Sequence, residues 1–283
     1  MGSSTATSRT TPTSAGVLLR HWRDVRGKTQ LDLSFDAGVS QKHISFVESG
    51  RSTPSRQMLL DLAQALDVPL RERNSLLVAA GYAPIYADGA IDEPAMGSIH
   101  KALQRMLRQH EPFPAIVMDR YWNVLLTNDA APKFFNCFID MAARQGKRNL
   151  LHLMFDPAGM RPFIVNWPEA TRGLLARVYR EAVGHVVDLK TKRLLDELAQ
   201  YPDVGPEWRA PTPGDAMPMI PLAFTKGGVR LNYFSMITTV GTPQTVAAEE
   251  LRIECMFPAD DATEEAHAGF LAENAGSGSS AMA

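Results

Sequence analysis

The chain is short of cysteine, of net charge and of long apolar runs, and each shortage excludes something. Two cysteines in 283 residues, Cys137 and Cys255, cannot build a disulfide framework or a four-thiolate zinc site. With 29 Lys+Arg against 31 Asp+Glu, the net charge of −2 makes the whole chain neither a polycation nor an acidic tail protein. No stretch of about 18 uncharged apolar residues marks a membrane span. The N-terminus lacks the apolar centre of a secretory signal, and Ala6 stands where the start Met1-Gly2-Ser3-Ser4 would need Ser or Thr for myristoylation. The expected compartment is a reducing cytoplasm. None of the seven histidines has a zinc-ligand spacing to Cys, Asp or Glu, and there is no GxSxG elbow, P-loop or GxGxxG turn. The expectation is therefore no enzyme, no metal and no cofactor.

The charge that is present is unevenly spread. Residues 1–81 carry 10 Lys+Arg and 7 Asp+Glu, a net of +3, and the remainder carries 19 and 24, a net of −5. A mildly basic N-terminal third is compatible with nucleic-acid binding there. Composition suggests the boundaries. Residues 1–13 read as a disordered leader, 14–81 as a helical domain and 82–97, rich in Pro, Gly and Ala, as a linker. Residues 98–260 read as a second domain and 261–283 as a flexible tail.

Within the first domain the spacing predicts five helices. The first covers about 15–26, with Val17, Leu18 and Trp22 on one face. Thr29 and Asp32 form a short capping box for a second over 30–37, pointing Leu33 and Ala37 inward. Gly38 then supplies the positive φ of a tight turn, Val39 packs it, and Ser40 caps a third helix over 41–49 with Ile44 and Val47 inward. Thr53-Pro54 opens a fourth, with the stripe Leu59, Leu62, Ala63 and Leu66, and a fifth covers 70–80.

Two short helices about a glycine turn match a helix-turn-helix. The outer face of the second is Gln41, Lys42, His43, Ser45 and Phe46. Gln41 and Lys42 sit in its first turn, where a recognition helix reaches adenine and guanine edges. Gln30, at the start of the preceding helix, is placed for a phosphate, and Arg51 and Arg56 flank the next loop as further backbone contacts. The stretch TQLDLSFDAGVSQKHISFVESGRSTPS resembles the phage-repressor-like, XRE-type helix-turn-helix family over about 15–81. The resemblance implies that Gln30, Ser40, Gln41, Lys42 and Ser45 lie at a DNA surface. His43 departs from the small or polar residue more usual there.

The second domain predicts two hairpins: 115–118 with 122–127 about Asp119-Arg120-Tyr121, and 222–225 with 229–239 about Lys226-Gly227-Gly228. A fifth strand covers 251–257. Five antiparallel strands split around a block of helices suggest an α+β, PAS-like fold. RNLLHLMFDP, FIVNW, ARVYREAVGH and VGTPQTVAAEELRIECMFPAD resemble the MmyB-like ligand-binding domain over roughly 98–260. That resemblance implies a pocket for a small apolar, fatty-acid-like ligand.

Most of the 13 methionines and many aromatics lie in this domain, and such residues can line an adaptable pocket or fill an ordinary core. The pocket candidates are Trp122, Phe134, Phe163, Trp167, Tyr233 and Phe234, with Arg161 or Arg230 for a carboxylate head group. Arg144 with Lys147-Arg148 could add a phosphate contact or simply be a solvated loop. Cys137 and Cys255 read as packing residues, with a redox pair as the alternative. The sequence thus points to a bacterial one-component transcription regulator binding double-stranded operator DNA as a homodimer. The runner-up is an antitoxin-like DNA-binding module that responds to a protein and has no small-molecule ligand.

Overall fold

The computed structural model describes residues 14–183, 189–205 and 221–274. The leader and residues 184–188, 206–220 and 275–283 lie outside the described residues. The chain forms two compact units, divided in sequence between Asp88 and Gly89.

The first unit is the expected five-helix array: α1 (Ala15–Val25), α2 (Gln30–Ala37), α3 (Gln41–Glu48), α4 (Arg56–Ala65) and α5 (Leu70–Ala79). Local chemistry sets the ends. Thr29 and Asp32 make the reciprocal capping box, Ser40 accepts from the His43 amide, and Gly38 adopts φ +64° between α2 and α3. The core is Leu19, Trp22, Leu33, Ile44, Val47, Leu59, Leu62, Leu66 and Leu77, all essentially inaccessible to solvent. Two details differ from the expectation. In α1 the buried stripe is Ala15, Leu19 and Trp22, and Val17 faces out. In α4 the cap is Ser55, so Pro54 lies before the helix and packs as a buried loop residue.

The linker expectation is corrected at its first half. Residues 82–88 are strapped to the helices. Asn74 accepts from the Ile85 and Tyr86 amides at 3.0 and 3.1 Å and donates to the Tyr86 carbonyl at 2.8 Å. The Tyr82 hydroxyl donates to the Pro54 carbonyl, and Arg71 grips Asp88 through both terminal nitrogens. A composition rich in Pro and Ala hides such ties, because one amide side chain on α5 supplies three of them.

The second unit is built on a five-stranded antiparallel sheet in the order β2-β1-β5-β4-β3: β1 (Ala115–Met118), β2 (Val124–Thr127), β3 (Leu222–Lys226), β4 (Val229–Thr238) and β5 (Arg252–Pro258). The second hairpin turns on Gly227 and Gly228, both at positive φ, as a two-residue turn requires. Alternation gives the sheet two faces. One carries Ala115, Val117 and Ile253 beneath α6 (Gly97–Gln109), which contributes Leu103 and Leu107. The other carries Ile116, Phe224, Leu231, Tyr233 and Met256 in the main core. That core also takes in α7 (Ala130–Asn136), α8 (Leu150–Phe155), α9 (Trp167–Val183) and α10 (Leu189–Leu198). The short α11 (Val246–Glu250) leads into β5.

The flexible-tail expectation is also corrected, over 261–274, which form α12 (Asp261–Asn274). Asp260 accepts from the Thr263 amide at 2.7 Å as its cap, and Thr263, His267 and Phe270 form a buried stripe at i, i+4, i+7. Only one of those three is a conventional apolar residue, so the stripe escapes a hydrophobicity reading. His267 fastens the helix. Its Nε2–H donates to the Pro112 carbonyl at 3.0 Å, which leaves Nδ1 to accept from the Tyr233 hydroxyl at 2.6 Å.

Burial pushes the His267 pKa down, so the fold favours the neutral ring over the unfolded chain's, which titrates at about 6.5. Its contribution is therefore complete above about pH 6.5 and declines as pH falls below that value. Urea unfolding of wild type should show lower stability at pH 5 than at pH 7, and His267→Leu should reduce that dependence to the share left by His152, whose pKa burial also lowers. The same variant should cost about 1–3 kcal/mol at pH 7, because it strands the Tyr233 hydroxyl.

Candidate functional site

The first site is the outer face of α3. Ile44 and Val47 face the core, so helical periodicity turns Gln41 and Lys42 outward at the N-terminal end, where both are exposed. Ser40 is exposed as the cap, and Ser45 is half-buried one turn further on. His43 is half-buried, with Nε2 at 3.4 Å from the Ser52 hydroxyl, so it braces the following loop. Phe46 completes the face. The Lys42 ammonium lies 5.7 Å from its ring centroid and the Arg51 guanidinium 5.9 Å. An aromatic ring thus gathers two cations on one side of the helix. Arg56 is exposed at the start of α4.

Gln30 has a partner inside the fold. Its amide donates at 2.9 Å to Glu48, a carboxylate with no exposed side-chain surface. The side chain expected at a phosphate also braces an interior charge. Glu48 also accepts from Arg23 at 2.7 and 3.0 Å and from Arg20 at 3.4 Å. Burial pushes the Glu48 pKa up, but the hydrogen bonds from Arg23 and Gln30 outweigh it and hold the carboxyl below the ordinary glutamate range. This network ties the end of α3 to α1 and so fixes the angle at which the outer face is presented.

In the second unit most of the expected pocket residues prove to be core. Trp122, Phe134 and Tyr233 are at most 2% exposed, and Phe163 packs against the same cluster. Phe134 is ringed by Phe135, Phe138, Phe224 and Tyr233 at centroid separations of 5.2 to 5.5 Å. Phe234 is on the other face of the sheet from Tyr233, stacked on Phe257 at 5.5 Å. Adjacent strand residues point to opposite faces, so the pair could never line one pocket. Arg230 is exposed and its Nε donates to Asn232 on the same strand.

Two clefts of this unit are lined by described residues. The first, about 350 Å³, has an apolar floor of Ile116, Val124, Ala131, Phe135, Leu150 and Leu153, with Met141 at its edge. Its rim is Arg144, Lys147 and Arg148. Arg144 pairs with Asp156 at 2.9 Å and Lys147 with Glu197 at 2.7 Å, and Arg148 is exposed. His152 supports this rim from behind, bonded to Tyr201 and Glu197 at 2.9 and 3.1 Å. Sequence reading singled out the basic trio without its apolar floor, because the floor comes from β1, β2, α7 and α8.

The second cleft, about 370 Å³, is lined by Arg161, Ile164, Val165, Trp167, Pro168, Thr171, Arg172, Asp203 and Gly205. Here two expected residues do meet: the Arg161 guanidinium lies 4.5 Å over the Trp167 ring and pairs with Asp203 at 3.0 Å.

The two cysteines are separated by the sheet. Cys137 is in the main core and Cys255 packs on the α6 face, so they cannot bond to each other. Burial raises both thiol pKa values, which disfavours the reactive thiolate. Among the described residues no group of three His, Cys, Asp or Glu side chains is arranged to hold a metal, and no helix is long and apolar enough to cross a membrane.

Comparison with known families agrees with this division. A helix-turn-helix family model matches residues 19–73, covering most of α1 to α5. A second model, the MmyB-like transcription regulator ligand binding domain, matches residues 99–268 and so includes most of α12. A search of curated proteins found no match. Both families are DNA-binding and ligand-binding modules of regulators, not enzymes. The chain belongs to the MmyB-like transcription regulators, with an XRE-type helix-turn-helix ahead of the family's ligand-binding domain.

Proposed function

We propose that this protein is a bacterial, cytoplasmic one-component regulator that binds operator DNA as a homodimer and is switched by a small apolar acid. The observation that carries the reading is the outward face of α3: a capped, rigid helix whose first turn exposes Gln41 and Lys42 while its inner side is locked to α1. In the proposed complex Gln41 and Lys42 read base edges in the major groove. Ser40, Ser45, Arg51 and Arg56 hold phosphates, His43 sets the loop that carries Arg51, and two protomers place their helices about 34 Å apart. Gln30 acts from within, through Glu48.

The first cleft suits the ligand. Its apolar floor takes a hydrocarbon chain and Arg148 meets an acidic head group, which is the fatty-acid-like chemistry expected of the domain. Such a ligand shifts DNA affinity only by the difference between its affinities for the two conformations.

Gel-shift titration against the protein's own promoter tests the DNA reading. Sequence-preferring binding that weakens steeply with salt is expected, and its absence at micromolar protein refutes the reading. Gln41→Ala should cost about 1–3 kcal/mol at one base position and little elsewhere. Equal weakening on every sequence would reassign Gln41 to the phosphate backbone.

A further inference from the structure

Two residues that line the second cleft carry buried polar atoms with no hydrogen-bond partner among the described residues. The Arg161 Nε and the Thr171 hydroxyl oxygen are both buried and both lack a hydrogen-bond partner, and Thr171 as a whole is 6% exposed. Folded proteins pair the great majority of such atoms, and a helical threonine ordinarily bonds a carbonyl of its own helix. Two such orphans on residues that line one cleft mark a place suited to a group from outside.

The surroundings narrow its chemistry. The Arg161 guanidinium is held on two sides: by the Trp167 ring beneath it and by Asp203 at one terminal nitrogen. Trp167 is itself held, its Nε1 donating to the Asp203 carbonyl at 3.3 Å. What Arg161 still offers is a fixed N–H donor. The formal charges of Arg161, Arg172 and Asp203 leave one positive charge over, which favours an anion. The remaining wall is Ile164, Val165, Trp167 and Pro168, which suits hydrocarbon and not a fully hydrated ion. A volume of about 370 Å³ is at the small end of ligand sites.

We infer that this cleft is a second binding site, for a small organic carboxylate whose oxygens accept from Arg161 Nε and the Thr171 hydroxyl and whose hydrocarbon part lies along Val165 and Pro168. The site is separate from the first cleft and does not depend on the first being the effector pocket. Its place in the fold gives binding a structural reach. Val165 donates to the Ala223 carbonyl at 2.8 Å, and Asn166 bonds both Pro221 and Ala223, so the cleft is coupled to the edge strand β3.

Benzoate and, separately, inorganic phosphate titrated into the full-length protein test the inference, with calorimetry for affinity and the Arg161 Nε–H resonance, assigned through Arg161→Lys, as the local reporter. Benzoate should bind once per chain and move that resonance, with phosphate clearly weaker. Thr171→Val keeps the volume and removes the hydroxyl. It should weaken benzoate at least about tenfold while the ligand-free melting temperature stays level or rises, because an unsatisfied hydroxyl has gone. Arg161→Lys keeps the charge and should lose the same affinity. Substituting Lys147 and Arg148 at the first cleft should change nothing here. An unmoved resonance at high-millimolar benzoate overturns the site, as does undiminished binding in both Thr171→Val and Arg161→Lys. Phosphate binding as tightly as benzoate overturns the assignment to an organic acid.

Discussion

Replacing Glu48 by alanine should destabilise the helix-turn-helix unit by about 3–5 kcal/mol, a large share of the 5–15 kcal/mol that holds an ordinary domain together. The loss arises less from the missing attraction than from what is left behind. Arg23, 12% exposed at its side chain, keeps its guanidinium next to the vacated space, and the Gln30 amide loses its acceptor. An exposed ion pair would give about 0–1 kcal/mol, so the size of the loss separates an interior charge from a surface one.

Glu48→Gln keeps the shape but turns an amide donor toward guanidinium donors, and it should fall between the two. Because the carboxyl titrates below its unfolded value, the contribution is present above about pH 4.5 and disappears as pH falls through the lowered pKa. Wild type and Glu48→Ala should therefore converge in acid. Hydrogen exchange of α1 and α3 amides, read beside urea unfolding, localises the effect. A difference under about 1 kcal/mol at pH 7 would show that the network does not orient the recognition helix.

The same residue shows where sequence reading succeeds and stops. The Thr29–Asp32 box, the Ser40 cap and the Gly38 turn are legible because each is settled within four residues of chain. The outward set on α3 follows from them by periodicity alone. Glu48 is not legible in this way. It closes a short helix as one more polar residue, and the partner that makes it an interior anchor, Arg23, is 25 positions away. The inward bond of Gln30 is hidden for the same reason. Its position at a helix start suggests a phosphate, and only the fold shows a buried carboxylate within reach.

In the second unit the strands and the tight glycine turn were legible, and the clefts were not. Trp122, Phe134 and Tyr233 have the composition of a pocket and the packing of a core, because aromatic content states nothing about whether the space between rings is filled. Phe234 was decidable in advance, since strand alternation already sets it against Tyr233. Thr171 gave no signal at all, as an unsatisfied hydroxyl exists only in three dimensions. α12 escaped because its stripe is Thr263, His267 and Phe270, two of which earn their burial through hydrogen bonds.

Gly16→Ala should be the most damaging small substitution in the first unit, although in a helix alanine is ordinarily preferred to glycine by about 1 kcal/mol. Gly16 is buried in the first turn of α1, where the helix crosses the end of α3. A Cβ there would overlap the Val47 carbonyl oxygen and approach that of Glu48 to 3.0 Å. Backbone cannot swing aside as a flexible side chain does, so α1 or α3 must shift as a whole. Overpacking of this kind costs about 1–3 kcal/mol and more when the obstacle is rigid. The shift also falls on the two carbonyls beside the Glu48 network, so the recognition helix should be displaced along with the loss of stability, and operator affinity should drop further than the unfolded fraction explains.

Gly269→Ala is the matched control. It sits in α12 with nothing within 4 Å of the added carbon, and it should stabilise slightly, by about 0.5–1 kcal/mol. Opposite signs for one chemical change, read in the same urea titration and gel shift, would show that the close approach of α1 to α3 builds the reading head. Equal signs would show that α3 holds its place without it.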